Sequence, residues 1–446
     1  MAGLLFLGSL ASYTDKRTGI INPWTIFALS FIQYYFLGPL DTFYFYDIMQ
    51  LQTEVYGHLS PNDDLVMART VATSLIGLAA ALAGYFSYLS IAGSPYPRVK
   101  PIQWIFARQR MLAIISVTGA FGISMVIYFF YKVGFSNYIS TERAMRYFLY
   151  GEVSGTGFLT DFVATAVVLA SVYAIERYRG NPKWALFFII LLLIPFSYFN
   201  IGIFSGSRIT VIRPVLIIGF YWMLRSGNTK VSFRTALVVV SLMIFAVLAG
   251  VYRIFMESDS TWQMVQDFSS HLSPQFVYNV FAQAFDYPAT YDIFLLLNNK
   301  DYSLGMGDTY LKLLYQFIPR GIWPDKPENI TIVMSKIFRP EQYEMGVSYN
   351  PTLLGEMYYN FSYAGVVAGC FLTGFGLGWL YKFGRRHINS PPMVFLYAVL
   401  IVSIIEQGRG AFSNITMSYL VFYVIPGVMA MRQITTREHA TTMRPT

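Results

Sequence analysis

Four arginines of this chain lie at the ends of long apolar runs or in the loops between them, where a charged side chain calls for a chemical explanation. They are Arg208, Arg253, Arg320 and Arg409. A guanidinium stays charged at every physiological pH, and its planar fork of N–H donors matches two oxygens of a phosphate. Several such cations at one face of a membrane predict an anionic, lipid-linked ligand. The alternative is that each arginine snorkels to the interface or pairs with a carboxylate.

Carboxylates and one histidine supply the bases that could act on such a ligand. Glu356 stands at the start of an apolar run, so it is either a general base for an attacking hydroxyl or one half of a structural ion pair. His271 is the only histidine between residues 257 and 350 and is the second candidate base. Arg213 either extends the set of arginines or pairs with Glu406 across the helix bundle.

The elements that position these residues are membrane spans. Hydrophobic residues make up 55% of the 446 positions and charged residues only 13%, whereas soluble proteins carry about 25% charged residues. Because a span takes about 20 apolar residues, the sequence predicts an all-α, polytopic membrane helix bundle of about eleven spans, although ten to fourteen would fit the pattern. The predicted spans are 1–13, 23–40, 66–92, 111–131, 158–175, 185–204, 209–224, 235–256, 357–381, 392–408 and 412–431.

Lysines and arginines concentrate in every second connection between these spans, and the positive-inside rule assigns those connections, together with the C-terminal tail, to the cytoplasm. The four arginines and Glu356 then share the opposite face. The apolar stretch 276–297 is interpreted as an interfacial or re-entrant helix, or as one of a pair of crossings. The chain thus divides into an N-terminal transmembrane bundle (1–256), a large ordered outer loop (257–350), and C-terminal helices with a cytoplasmic tail (351–446).

Missing motifs exclude several classes of protein. The sequence has no GxxxxGK[ST] loop for ATP and no HExxH or Cys/His cluster for a transition metal, so it predicts no metal site. Nucleic acid is a poor explanation for the net charge of +8, because the basic residues are spread over short loops between apolar runs.

Two features of the apolar runs predict how helices pack. Cys370 is expected to be a packing residue, and the glycines of Gly374-Phe375-Gly376-Leu377-Gly378 predict close helix packing.

Four short segments between residues 205 and 410 carry a recognisable pattern. They are Ser205-Gly206-Ser207-Arg208, Phe317-Ile318-Pro319-Arg320-Gly321-Ile322-Trp323-Pro324-Asp325-Lys326-Pro327, Asn350-Pro351-Thr352-Leu353-Leu354-Gly355-Glu356 and Gln407-Gly408-Arg409-Gly410. In this order they resemble the O-antigen and oligosaccharide repeat-unit polymerases of the Wzy type. The chain departs from the branch that makes enterobacterial common antigen, which has a neutral residue at the position of Arg320 and no acid at that of Glu356. Its substrate therefore need not be that polymer.

The resemblance implies a GT-C-like integral-membrane glycosyltransferase of the bacterial inner membrane that uses no metal and no cofactor. Its donor would be a growing glycan on undecaprenyl pyrophosphate, and its acceptor would be a hydroxyl of a new lipid-linked repeat unit, both at the periplasmic face. The catalytic candidates are Glu356 as the first base, His271 as the second, and Arg320 at the leaving pyrophosphate. The residues expected to bind pyrophosphate or sugar are Arg208, Arg253, Arg409, Lys326, Tyr349 and Trp323. The expected partners are membrane lipid and a separate co-polymerase that sets chain length.

Three other functions remain open at this stage. An O-antigen ligase would use similar lipid-linked donors and cationic turns, but would transfer the glycan to lipid A core. A transporter of lipid-linked oligosaccharides would favour charged or broken helices near the middle of the bilayer. A non-enzymatic scaffold for polysaccharide assembly would tolerate the replacement of Arg320 and of Glu356.

Overall fold

The fold is seen in a computed structural model of the chain. It describes residues 22–37, 64–92, 104–140, 161–203, 209–227, 302–315, 325–338, 351–408 and 412–433, together with the single positions 293, 296, 297, 318, 322, 323, 340, 343 and 410. The predicted spans 1–13 and 235–256 lie outside these residues. Of the apolar stretch 276–297, the structure describes only positions 293, 296 and 297, which are helical.

The described elements are almost all helical, as the composition predicts. In chain order they are α1 (Pro23–Ile32), α2 (Asp64–Ile91), β1 (Trp104–Phe106), α3 (Arg108–Val133), α4 (Phe135–Ser140), α5 (Phe162–Arg177), α6 (Pro182–Ser197), α7 (Ile209–Ser226), α8 (Asp308–Tyr315), α9 (Ile330–Phe338), α10 (Leu353–His387), α11 (Pro391–Gln407), α12 (Phe412–Tyr419), α13 (Ile425–Met429) and β2 (Met431–Gln433). Short π-helical segments, Gln33–Leu37, Tyr198–Ile203 and Leu420–Val424, continue α1 and α6 and join α12 to α13.

Five helices within the described residues are long and apolar enough to cross a membrane. These segments are Ala68–Ile91, Arg108–Val133, Pro182–Asn200, Ile209–Ser226 and Leu353–His387, and two shorter apolar helices are Pro391–Gln407 and Ile415–Met429. The chain is therefore an all-α protein of the kind that is embedded in a membrane. Because a helix rises about 1.5 Å per residue, the 35 residues of α10 exceed the roughly 30 Å hydrocarbon core of a bilayer.

Local sequence determines where several helices begin. Asn22 caps α1, because its side-chain oxygen accepts a hydrogen bond from the Trp24 amide at 2.9 Å, and Pro23 occupies the first helical position. Thr352 caps α10 in the same way and accepts a hydrogen bond from the Gly355 amide at 3.2 Å. This cap starts α10 four residues earlier than the predicted span 357–381, and so brings Glu356 into the first turn of the helix.

Glycines allow α2 and α10 to pack closely. A Cβ on Gly374 would collide with the Ala81 carbonyl, and a Cβ on Gly84 would collide with the Phe371 carbonyl, so the two backbones nearly touch at both points. A Cβ on Gly378 would come within 3.0 Å of the Tyr85 carbonyl oxygen. These contacts confirm the predicted packing role for Gly374 and Gly378 but not for Gly376, where a Cβ would meet nothing within 4 Å. Cys370 is also a packing residue as predicted, since it is fully buried with its Sγ 3.8 Å from the Met357 Sδ.

The helices run alternately between two ends of the bundle, which are named here by the residues that mark them. At the Arg225 end, strands β1 and β2 pair antiparallel, the Arg110 guanidinium donates to the Met431 carbonyl at 3.0 Å, and the Lys382 ammonium donates to the Leu89 carbonyl at 3.0 Å. At the Glu356 end, α10 begins and α11 ends. The described basic residues at the Arg225 end are Arg108, Arg110, Arg177, Arg179, Lys183, Arg225, Lys382, Arg385, Arg386 and Arg432.

The hydrophobic core crosses the predicted division of the chain. Helices α1 and α2 share one buried cluster with α10, while α5, α7 and α11 share a second. The helices that follow the loop 257–350 therefore pack among those that precede it. Within that loop, the described residues include the short helices α8 and α9.

Candidate functional site

Glu356 lies at the first turn of α10 and has no solvent exposure. Its Oε2 accepts a hydrogen bond from the Phe412 amide at 2.6 Å, which joins the start of α10 to the start of α12. The Thr309 hydroxyl also interacts with this carboxyl. Its position does not satisfy the geometry of a hydrogen bond, so Oε1 has no hydrogen bond to any described residue. A buried carboxyl oxygen without a donor is costly in a folded protein, and such atoms are often found where chemistry occurs.

Hydrogen bonds fix the described residues on both sides of Arg409 in the sequence. The Tyr35 hydroxyl donates to the Gly408 carbonyl at 3.2 Å and accepts from the Leu354 amide at 3.1 Å. Beyond Arg409, the Gly410 amide donates to the Glu406 carbonyl at 3.0 Å, and the Phe412 amide donates to Glu356. These hydrogen bonds fix the backbone at Gly408, Gly410 and Phe412, and the Phe412 amide lies directly beside Glu356.

Helix α8, from the loop 257–350, packs against the start of α12 and lies close to Glu356. The Tyr310 ring meets the Phe412 ring edge-on, with 5.8 Å between centroids, and the Lys312 ammonium is close enough to Glu356 for an electrostatic interaction. Lys312 is itself 9% exposed, which is unusual for a lysine. Burial raises the pKa of the Tyr310 hydroxyl, and the Glu356 carboxyl raises it further, so Tyr310 stays protonated.

Asn360 joins α8 to α10. Its side-chain amide donates to the Thr309 hydroxyl at 2.7 Å and to the Glu356 carbonyl at 2.8 Å, and its Oδ1 accepts from the Gly307 amide at 3.0 Å. Directly after Asn360 the helix is kinked, since Phe361 and Ser362 depart from helical dihedral angles. The fully buried Asn360 therefore holds the loop before α8 against the kink of α10.

Two positions of that loop, Gly305 and Gly307, favour glycine for different reasons. Gly307 has a φ of +93°, a backbone conformation that glycine adopts without steric strain. A Cβ at Gly305 would lie 2.5 Å from the Tyr359 ring, so this position also requires a glycine. The two glycines of Gly305-Met306-Gly307 thus allow the loop before α8 to pack closely against α10.

Arg213 pairs with Glu406, which decides between the two predicted roles of Arg213. Its Nε and Nη2 each lie 2.8 Å from one oxygen of the carboxylate, and the Tyr419 hydroxyl donates to the same carboxylate at 2.7 Å. The side chains of the pair are 11% and 9% exposed. The pair is a structural link between α7 and α11, and it fixes the last turn of α11 just before Arg409 in the sequence.

Six of the predicted site residues lie outside the described residues, and their arrangement stays a prediction. They are Arg208, Arg253, Arg320, Arg409, His271 and Tyr349. Two others are placed near Arg320 in sequence. The Trp323 ring contacts the Tyr315 ring at the end of α8, with 5.4 Å between centroids, and the Lys326 ammonium donates to the Ile318 carbonyl at 3.0 Å. Lys326 therefore links the two ends of the segment 318–326, which contains Arg320 in the sequence.

Three residues that reasoning from sequence missed are Tyr35, Lys312 and Asn360. Tyrosine is so frequent in this chain that Tyr35 carries no signal of its own. Lys312 could have been found, because it is a lysine within the mostly apolar segment Leu311–Tyr315. Asn360 could also have been found, as an uncharged polar residue near the start of an apolar span.

The described part of the site contains no cluster of metal-ligand side chains. Within the described residues, no three His, Cys, Asp or Glu side chains lie close enough together to bind an ion.

Comparison of the chain with protein families, with curated proteins and with solved structures finds no match. The functional argument therefore rests on the residues themselves: the buried Glu356 carboxyl, the buried Lys312, and the hydrogen bond that joins the start of α10 to the start of α12.

Proposed function

We propose that this protein is an integral-membrane glycosyltransferase that polymerises lipid-linked oligosaccharide repeat units. It would transfer the growing glycan from undecaprenyl pyrophosphate to an incoming lipid-linked repeat unit. The observation that carries the proposal is the buried Glu356 carboxyl, whose Oε1 has no hydrogen bond to a described residue and which is close enough to the Lys312 ammonium for an electrostatic interaction. Glu356 also binds the amide of Phe412, which follows Arg409 closely in the sequence.

The chemistry is a displacement at the anomeric carbon of the donor. The acceptor hydroxyl attacks that carbon and loses its proton to the Glu356 carboxylate, while the bond from carbon to the pyrophosphate oxygen breaks. The leaving lipid pyrophosphate takes the electron pair and gains negative charge. Arg208, Arg320 and Arg409, followed by Arg253, would stabilise that charge, because fixed cations held in advance are worth most where charge develops.

Glu356 suits the role of base because Oε2 is held by a backbone amide while Oε1 has no hydrogen bond to a described residue. An oxygen without a donor is free to accept a proton. Full burial means that the acceptor can reach Oε1 only if a covering element, such as α8 with Tyr310, moves aside. Catalytic contacts of this kind commonly tighten only when substrate is bound.

The proposed location is the bacterial inner membrane, with the Glu356 end facing the periplasm. The gathering of basic residues at the Arg225 end supports this orientation, because the cytoplasmic side of a membrane protein carries the excess of lysine and arginine. The proposed partners are membrane lipid and a co-polymerase that sets chain length.

The experiment that tests the proposal uses purified protein and its host's lipid-linked repeat unit, without added metal or nucleotide. Wild type is compared with Arg320→Ala and with Lys326→Ala, which removes a cation of the same loop. We expect a ladder of longer lipid-linked glycans from wild type, and its loss in a folded Arg320→Ala protein. Because Lys326 links the ends of the segment 318–326 through its hydrogen bond to the Ile318 carbonyl, we expect Lys326→Ala to slow the ladder without abolishing it.

Other outcomes would contradict the proposal. A folded wild type that makes no ladder but transfers one glycan to lipid A core would be a ligase. A protein that makes neither product but moves the repeat unit across a vesicle membrane would be a transporter. An Arg320→Ala protein that polymerises as fast as wild type would remove Arg320 from the mechanism.

A further inference from the structure

A cavity opens at the Arg225 end of the bundle, far from Glu356. Its volume is about 230 Å³, and it lies between β1, the start of α3 and the end of α5. Its lining residues are Phe106, Arg108, Met111, Tyr173, Glu176 and Arg177. Nothing in the proposed polymerisation uses this place, so any ligand here would serve a separate purpose.

The cavity lining has two arginines and one glutamate, and the glutamate is paired with an arginine outside the lining. Glu176 is already engaged, because Arg225 binds both of its oxygens at 2.7 and 3.0 Å and the Tyr221 hydroxyl donates to it at 2.7 Å. Arg108 and Arg177 are exposed, and neither has an ion pair or hydrogen bond to another described residue. The cavity therefore offers two guanidinium groups whose donors are available to an anion.

The remaining lining is apolar and continues into a face that would meet lipid. Phe106, Tyr173 and the fully buried Met111 form the inner wall. On α3, Leu112 and Ile123 lie on the same side of the helix as Arg108 and are 40% and 54% exposed, so an apolar surface leads away from the cavity along a helix long enough to span a membrane. A ligand that joins an anionic head to apolar chains fits both parts.

We infer that this cavity binds the phosphate head group of an anionic phospholipid, with the acyl chains along the exposed apolar face of α3. Arginine suits a phosphodiester because its fork of donors matches two phosphate oxygens. Basic pockets between transmembrane helices on the cytoplasmic side are a general means of binding anionic lipids. The β1–β2 pair, fixed to α3 by the Arg110 hydrogen bond to Met431, gives the cavity a rigid rim.

The test compares two double variants with equal loss of charge. Arg108→Gln/Arg177→Gln removes both free cations of the cavity, whereas Arg179→Gln/Lys183→Gln removes two cations of the same end that do not line it. Each protein is placed in nanodiscs of phosphatidylglycerol and phosphatidylcholine, and the lipids retained after release are counted by native mass spectrometry. Size-exclusion chromatography and the circular dichroism of the helices confirm that each variant is folded.

We expect wild type and the control variant to retain one phosphatidylglycerol, and the cavity variant to bind it roughly 30-fold more weakly, as two cations beside an anionic head group imply. Inorganic phosphate at millimolar concentration should leave retention unchanged, because it cannot use the apolar face of α3. Equal losses in the two double variants, no preference for phosphatidylglycerol, or full displacement by inorganic phosphate would each overturn the inference. The result does not depend on whether the protein polymerises glycans.

Discussion

Replacing Glu406 by glutamine should destabilise the protein, because it leaves the Arg213 guanidinium without its paired charge. Both side chains are about nine-tenths buried, and both charged nitrogens of the contact lie 2.8 Å from a carboxylate oxygen. Removing one partner of a buried ion pair typically costs about 3–5 kcal/mol of unfolding free energy. Asp161 also interacts with Arg213 and keeps part of the charge compensated, so we expect about 3 kcal/mol, the lower end of that range.

The measurement is the unfolding of the detergent-solubilised protein in increasing sodium dodecyl sulfate, followed by near-ultraviolet circular dichroism. Glu328→Gln is the matched control, because Glu328 forms an ion pair with Lys336 in which the side chains are 38% and 45% exposed. An exposed pair contributes at most about 1 kcal/mol. The double variant Arg213→Met/Glu406→Gln should recover at least half of the loss, since it removes the unpaired charge while the introduced amide oxygen still accepts from Tyr419. Equal stability of Glu406→Gln and Glu328→Gln would refute the reasoning.

Three further substitutions have expected outcomes. Gly374→Val should prevent close packing of α2 and α10 and reduce the folded yield in fluorescence size-exclusion chromatography, whereas Gly376→Val, which faces open space, should not; equal yields would be contrary evidence. Tyr35→Phe should lower the free energy of unfolding by about 1–3 kcal/mol, because a buried amide and a buried carbonyl lose their shared partner; an unchanged detergent titration would disprove that bridge. Asn360→Leu should speed hydrogen exchange at the Gly307 amide, and unchanged exchange there would show that the loop is held in another way.

Much of the helical framework could be predicted from the sequence, because long apolar runs leave few alternatives to a membrane helix. The glycine series at 374–378 predicted close packing, and the structure shows which helix it meets. The pairing of Arg213 with Glu406 was one of two predicted alternatives, since a buried charge needs a partner but the sequence does not say which.

Other features had no readable signal. The span predicted at 23–40 is an α-helix only to Ile32 and then becomes π-helical over Gln33–Leu37, and hydropathy alone does not distinguish the two. The kink after Asn360 lies where the loop before α8 donates hydrogen bonds to carbonyls of α10, and that loop is distant in the sequence. The Phe412 amide that Glu356 binds had no signal in the sequence, because a backbone group leaves no trace in side-chain patterns.

The most direct test of the proposed function is the rate of glycan polymerisation by Glu356→Gln. The substitution keeps an oxygen that can accept from the Phe412 amide, so the start of α12 should stay in place and the protein should stay folded. It removes the carboxylate that would take the acceptor proton. If Glu356 is the base, single-turnover extension of the lipid-linked glycan should slow by about 10²-fold or more, while Glu328→Gln should retain the wild-type rate. Extension by folded Glu356→Gln at the wild-type rate would contradict the proposed mechanism.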